Sequence, residues 1–403
     1  AGIADIKAII DELDTFLADV VAGRSPRLML TMPPRHGKLC ADDTPVLTVD
    51  GWKTHGALKV GDYVFHPSGK PVRVVAVGEK NFATHSVVFT NGDIIDVHLD
   101  HEWRVYDRTK PGYRTVETRY FVEPSKKTKA LRKLDSGIPD TRGHRYLYQV
   151  DTADAPQWPA VEHVIPPYVL GVWLGDGTSI APRINMAPDD ACVVKMEFER
   201  LGVPITGTWV HRDTGVETFS FASGVKNRRN IFSQALKDAD LLKNKHIPNE
   251  YKHDSLENRL DLLAGLIDTD GHFDRKTNRY RFTTSNELLA HDVEELAMLC
   301  GFVAHTNIPA LDNRERTIKN KSQVYVVSFF FSGVVVPCRL ERKKVNKTFS
   351  SLRRRVSIKC VRALESPKMG NCIQVDSPDG LYLVGKHLTI THNSELASRR
   401  FPA

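Results

Sequence analysis

Residues 27–38 read Arg-Leu-Met-Leu-Thr-Met-Pro-Pro-Arg-His-Gly-Lys, an apolar strand that runs into a phosphate-loop turn. After Gly37-Lys38 such a loop needs Ser or Thr, whose hydroxyl sits on the nucleotide's metal ion. Leu39 stands there instead. The missing continuation is at the other end of the 403-residue chain, where Ser394-Glu-Leu-Ala-Ser-Arg-Arg-Phe-Pro supplies the hydroxyl and a helix start. Gly37, Lys38 and Ser394 can hold a phosphate only as neighbours. An ordinary inserted domain would leave them apart, so the expectation is that residues 39–393 are removed and Lys38 is joined to Ser394.

Composition allows several domains and real cores: 41% of residues are hydrophobic. No apolar run reaches membrane-spanning length, and no leader pattern is read at the start. The six cysteines, Cys40, Cys192, Cys300, Cys338, Cys360 and Cys372, contain no C-x-x-C pair. Neither a zinc site nor a disulfide framework is expected, and a reducing cytoplasm fits. The net charge of +7 is clustered: residues 104–145 hold 12 Lys/Arg against 5 acidic residues, and 339–355 are more basic still. Such stretches are either solvated linkers or nucleic-acid contacts.

From Thr44 the pattern is one of short strands with Gly/Asn/Asp turns: 44–49, 58–65, 72–77, 85–93 and 94–98, with Asp50-Gly51 as a hairpin turn. β character returns after 355, through Asn371–Val384 and Lys386–Asn393, with Asp379-Gly380 as the expected hairpin between them. The first run resembles the N-terminal half of the Hint fold of inteins, with Thr44, Val46 and Gly51 in its first block and His98-Leu-Asp-His101 in its Thr-x-x-His block. The second resembles the two C-terminal intein blocks, ending His392-Asn393-Ser394. The flanks resemble the ATPase part of a phage terminase large subunit, which implies a cytoplasmic, phage-infected or prophage-carrying bacterial host.

Between these halves lie Leu170-Gly-Val-Trp-Leu-Gly-Asp176-Gly177 and Leu263-Ala-Gly-Leu-Ile-Asp-Thr-Asp270-Gly271. Small residues in each let two helices approach closely. Gly177 and Gly271 suit left-handed helix ends. Asp176 and Asp270 would then sit together, able to hold divalent cations at scissile phosphates. Two buried helices with glycine stops are the plainer alternative. The pair resembles the motifs of LAGLIDADG homing endonucleases, and Lys245-His-Ile-Pro248 resembles that family's Lys-x-Ile-Pro segment. The resemblance implies Mg2+ as the cofactor for cleavage, double-stranded DNA as the partner and Lys245 as a catalytic lysine. A further helix is expected over 291–303, and β-rich stretches near 180–222 and 276–331 would form sheets for the major groove.

The expected fold class is a mainly β Hint splicing domain with an inserted α+β LAGLIDADG domain and short α/β host flanks. The expected division is 1–38 flank, 39–155 N-terminal splicing half, 156–340 endonuclease, 341–393 C-terminal splicing half and 394–403 flank. Leu39 carries no nucleophile. Class 3 inteins, marked by a Trp–Cys–Thr triplet, borrow one, and Trp103, Cys372 and Thr391 fall in the matching blocks. In isolation each of the three is an ordinary core or strand residue. The resemblance implies that Cys372 attacks the Lys38 carbonyl with help from His101 and oxyanion donors such as His98. The acyl group then moves to Ser394, and Asn393 cyclises with help from His392. No cofactor is needed for splicing, whose substrate is the chain's own flanks. The alternatives are initiation by Cys40, an insert that is never excised, and a nuclease that only binds DNA.

Overall fold

The computed structural model describes residues 38–108, 110–122, 146–222, 230–308, 323–330, 334–345 and 355–393. The phosphate-loop strand, Gly37, Ser394 and the basic segment 123–145 lie outside them.

The chain builds two units, one interrupted by the other. The first is almost entirely β. Its larger sheet has seven strands in the order Cys40–Ala41, Ile94–Val97, Asn81–Phe89, Arg355–Asn371, Tyr148–Asp151, Glu102–Asp107 and Gly112–Glu117. A second sheet runs Ile373–Val375, Pro71–Val77, Tyr63–Phe65, Pro45–Thr48 and Gly51–Thr54. Leu381–Val384 pairs with Thr389–His392 as a separate hairpin. The 17-residue strand Arg355–Asn371 is the decisive element. It comes from beyond the insertion, yet it pairs with Cys40–Ala41, Asn81–Phe89 and Tyr148–Asp151. Neither half can complete this sheet alone. Their shared core includes Val46, Val64, Val87, Val97, Trp103, Val150, Ile358, Ile373 and Tyr382.

Glu102–Asp107, Gly112–Glu117 and Tyr148–Asp151, near the start and end of the first basic stretch, are strands of this unit. In the second stretch, Arg339 pairs with Glu197 and Asp261, Arg342 with Asp190, and Arg355 with Asp151. Those charges close internal contacts. The turn at Asp50-Gly51 forms as expected, with Gly51 at φ 109°. Asp379-Gly380 does not join paired strands. Ile373–Val375 bonds to Pro71–Val77, and the C-terminal hairpin turns at residues 385–388.

The second unit repeats a helix–sheet theme. Helix Pro167–Asp176 leads to a three-stranded sheet of Arg183–Met186, Glu217–Phe221 and Ile205–Val210. Helix Leu256–Asp270 leads to a four-stranded sheet of Gly271–Asp274, Arg279–Thr284, Tyr325–Phe330 and Val303–Asn307. One apolar core joins both halves, and Glu341–Lys343 and Val345, past position 340, still pack on this unit. The stretch 180–222 is not all β, because Pro188–Arg200 is a helix. Pro188 opens it, Asp189 and Asp190 sit in its positive first turn, and Ala191, Val194 and Phe198 form its buried stripe. The helix expected over 291–303 spans Glu287–Leu299, capped by Asn286 and stopped before Gly301 at φ 85°. Among the described residues no helix is long and apolar enough to cross a membrane.

Candidate active sites

At the upstream junction, strand pairing does the positioning. Cys40 lies opposite Asn371 and Ala41 opposite Gly370. That register carries Leu39 to Cys372, and the two are buried together with Ala41 and Ala83. Glycine is required at 370, because a Cβ there would lie 2.4 Å from the Cys40 carbonyl oxygen.

His101 occupies the centre of the junction, fully buried. Its Nε2 is hydrogen-bonded to Thr391 Oγ1 at 2.6 Å, the backbone of Lys38 lies close enough to favour the protonated ring, and Nδ1 is buried with no partner among the described residues. Burial pulls its pKa down to about 3 against the opposing effect of the Lys38 contact, so the ring is neutral near pH 7. Trp103 packs edge-on against it with ring centroids 4.8 Å apart. The Trp103 indole donates to Thr118 Oγ1, which donates to the His101 carbonyl, both at 2.9 Å. Trp103 and Thr391 thus hold one imidazole from two sides. Glu102 binds Lys38 Nζ at 2.7 Å and lies 3.6 Å from His392 Nδ1, linking the two junctions.

His98 differs from expectation. Its backbone N–H, not its ring, donates to a carbonyl, and that carbonyl belongs to Leu39 (3.3 Å), one residue beyond the expected bond. Its ring turns to Asp100. At the downstream junction Asn393 N–H donates to the Gly380 carbonyl at 2.7 Å. With the side-chain amide oriented to satisfy both atoms, its oxygen accepts from Val375 N–H at 2.8 Å and its nitrogen faces the Gly380 carbonyl. His392 Nδ1 donates to the Asn393 carbonyl at 2.6 Å. Cys40 points into the β core. Burial pushes its thiol up to about 12, against the opposing effect of the nearby Tyr382 hydroxyl.

In the inserted unit, helices Pro167–Asp176 and Leu256–Asp270 pack backbone to backbone. A Cβ on Gly171 would sit 2.2 Å from the Leu262 carbonyl, and one on Gly265 2.4 Å from the Tyr168 carbonyl. Gly177 and Gly271 are not left-handed; both have extended backbones. They are needed for space: a Cβ on Gly177 would meet the Trp173 carbonyl at 2.2 Å, and one on Gly271 the Ile267 side chain at 2.5 Å. Asp176 and Asp270 close the two helices. Burial first, then Asp270, pushes Asp176 up to about 6, and burial also raises Asp270. Lys245 Nζ donates to the carbonyls of Leu174, Gly175 and Gly177 at 3.0, 3.1 and 2.7 Å. Burial brings its pKa down to about 8. Lys343 does the same on the other helix, donating to Ile267, Asp268 and Thr269 at 2.8, 2.6 and 2.8 Å. Sequence reading missed Lys343, although it sits in a Lys-Lys-Val run that echoes Lys245-His-Ile.

Residues 257–328, which hold the second motif, match the family model of the LAGLIDADG-like domain. The architecture is a mainly β unit with an α+β unit inserted in it, and the second half of that inserted unit carries the LAGLIDADG-like match. A curated relative, the replicative DNA helicase DnaB of Mycobacterium intracellulare, is 31% identical over 382 residues, covering 92% of this chain and 61% of that protein. The chain thus spans about three fifths of that relative's length. Among solved structures, the MchDnaB-1 intein is 35% identical over 19% of this chain and 57% of its own, with a TM-score of 0.17. A structure of mesophilic variants of the homing endonuclease I-DmoI is 13% identical over 41% of this chain and 87% of its own, with a TM-score of 0.28.

Proposed function

We propose that the chain is a self-splicing intein that excises residues 39–393 and joins Lys38 to Ser394, and that the LAGLIDADG-like unit is a site-specific double-strand DNA endonuclease. The observation that carries the splicing reading is the burial of Cys372 against Leu39, with His101, held by Thr391, beside the Lys38 backbone. In this scheme the Cys372 sulfur attacks the Lys38 carbonyl carbon. The thiol proton passes by way of His101 to the Leu39 nitrogen, which leaves as an amine. The acyl group transfers to the Ser394 hydroxyl. The Asn393 side-chain nitrogen attacks its own carbonyl, polarised by His392, and frees the insert. The ester at Ser394 then shifts to the amide. Every reactant belongs to one chain, so proximity supplies much of the acceleration.

Initiation by Cys40 is the second reading, favoured by the His98 N–H on the Leu39 carbonyl, where an oxyanion would form. Against it stands a ligated Gly-Lys-Leu-Ser product, which would spoil the phosphate loop. Mass spectrometry of the product made in a reducing host tests both. Ligated flanks with Leu39 absent support the first reading; retained Leu39 supports the second, and an intact precursor opposes splicing altogether.

For DNA cleavage, Asp176 and Asp270 would hold Mg2+: a half-buried carboxylate whose proton affinity is raised by a neighbouring one suits a divalent cation. The ion would supply Lewis-acid activation at the scissile phosphates. Lys245 and Lys343 each fix a helix end and place positive charge beside the carboxylates. The host is a phosphate-loop ATPase. Its terminase character rests on the flanks alone, whereas the curated relative is a helicase; a bacterial cytoplasm is the proposed location for either.

A further inference from the structure

Behind the upstream junction lies a buried polar chain that the splicing scheme does not use. His55 Nδ1 donates to Asn371 Oδ1 at 2.8 Å, and its Nε2 accepts from the Tyr382 hydroxyl at 2.9 Å. The Tyr382 hydroxyl lies beside the Cys40 thiol in the same buried core. His55 is fully buried, and Tyr382 nearly so.

The residues at the two ends of this chain are the informative ones. Cys40 directly follows Leu39, whose nitrogen is the leaving group. Asn371 directly precedes Cys372, the proposed nucleophile. The same two residues face each other across the strand pair. One histidine–tyrosine pair therefore ties the strand that carries the scissile bond to the strand that carries the attacking sulfur.

Stability alone does not account for the arrangement. Asn371 Nδ2 is buried with no partner among the described residues, which costs free energy. Burial pulls the His55 pKa down to about 4, so the ring is kept neutral at the expense of acid stability. Apolar residues of similar volume would fill the space without either cost.

We propose that His55 and Tyr382 form a positioning clamp that sets the approach of Cys372 to the Lys38 carbonyl in the first splicing step. The proposal rests on Cys372 being that nucleophile. The clamp touches neither reacting atom; it acts through Cys40 and Asn371, and displacements on the order of 1 Å cost such a reaction about a hundredfold.

The test uses the full chain with both flanks. Thioester formation is measured as hydroxylamine-released N-terminal flank in an Asn393→Ala background. Cyclisation is measured as C-terminal flank release in a Cys372→Ala background. His55→Ala is expected to slow thioester formation by about tenfold to a hundredfold and to leave cyclisation at its original rate. His55→Gln, which can still reach Tyr382, recovers part of the loss. Tyr382→Phe, which deletes only the hydroxyl, reproduces the first-step defect even if His55→Ala fails to fold. Equal slowing of both steps would reveal a purely structural role, and an unchanged first step would remove the clamp; either result overturns the proposal. If Cys372→Ala still forms the thioester, the nucleophile assignment falls and takes the clamp with it. If Cys372→Ala is inert and the clamp variants are not impaired, the clamp alone falls.

Discussion

Leu39 and Cys372, more than three hundred positions apart in sequence, are buried side by side because Cys40 pairs with Asn371. The contact places the sulfur of one chain half at the first residue of the other. It predicts that Cys372→Ala abolishes release of the N-terminal flank, while Cys40→Ala retains it, slowed by about tenfold to a hundredfold through the small cavity and the lost Tyr382 contact. Time courses of precursor decay on denaturing gels, with fragment masses, check this. Loss of activity in Cys40→Ala alone would move the chemistry one residue downstream.

Trp103 and Thr391 act through His101 rather than on the peptide. Thr391→Ala removes the 2.6 Å contact to Nε2 and frees the imidazole to turn. Trp103→Phe keeps an aromatic wall but loses the indole donor that reaches Thr118. Each is expected to slow the first step by about tenfold to a hundredfold, with Thr391→Ser recovering most of the Thr391→Ala loss. Rates unchanged in Thr391→Ala would show that His101 needs no such support.

What the sequence made legible follows the range of the interactions. The paired Gly/Asp/Gly motifs act within one helix and its contact face, so residues 170–177 and 263–271 could be read directly. The short strands from Thr44 were equally local. The partnership of Arg355–Asn371 with strands on both sides of the insertion was not readable, because register is set by tertiary packing. The glycines at 177 and 271 were identified correctly but for the wrong reason: crowding by Trp173 and Ile267, not a left-handed backbone, demands them. Pro188–Arg200 was missed although its proline, acidic first turn and apolar spacing were all present. His55 and Tyr382 carried no signal, since a lone histidine in a β-rich stretch reads as an ordinary core or surface residue. Lys343 was hidden by its distance from the helix end it caps.

The inserted unit's helix pair leaves no room for a methyl group. Gly265→Ala would drive a Cβ to within 2.4 Å of the Tyr168 carbonyl and 2.7 Å of the Val172 nitrogen. The expected cost is about 2–3 kcal/mol, read as a lower denaturation midpoint in a splicing-blocked precursor carrying Cys372→Ala and Asn393→Ala. Because the β unit has its own core, Gly265→Ala with the splicing residues intact should still release ligated flanks. Loss of both functions would mean that the two units fold as one cooperative block.

Asp176→Asn and Asp270→Asn each remove one of the carboxylates that face each other across the helix pair. Either is expected to reduce Mg2+-dependent cleavage of a plasmid carrying the uninterrupted host gene by about a hundredfold or more. Binding to the same DNA should persist, because neither group contributes attraction to phosphates. Lys343→Met and Lys245→Met should impair cleavage to similar degrees, reflecting their matching positions at the two helix ends. An effect confined to Lys245→Met would break that equivalence.

Two buried histidines and one partly buried one give the fold a pH dependence whose sign can be worked out. His55 and His101 are held neutral by burial, with folded pKa values of about 4 and about 3 against 6.5 for the free group. Below pH 6.5 the unfolded chain takes up protons that the folded chain refuses. Their stabilising effect is therefore complete above pH 6.5, declines as the pH falls to about 4 for His55 and about 3 for His101, and then levels off. While both are in that window the slope is about 2.7 kcal/mol per pH unit. His387 runs the other way. Asp93 and Glu294 hold its ring protonated, raising the pKa to about 9, so its contribution is full below pH 6.5 and is lost as the pH climbs through 9. Urea unfolding of the splicing-blocked precursor from pH 4 to pH 10 should show decline on both sides of neutrality. His387→Gln should flatten the alkaline limb and leave the acid limb in place, and His55→Gln should do the reverse. An alkaline limb that survives His387→Gln would show that the contact with Asp93 and Glu294 does not link the C-terminal hairpin to the inserted unit's Glu287–Leu299 helix.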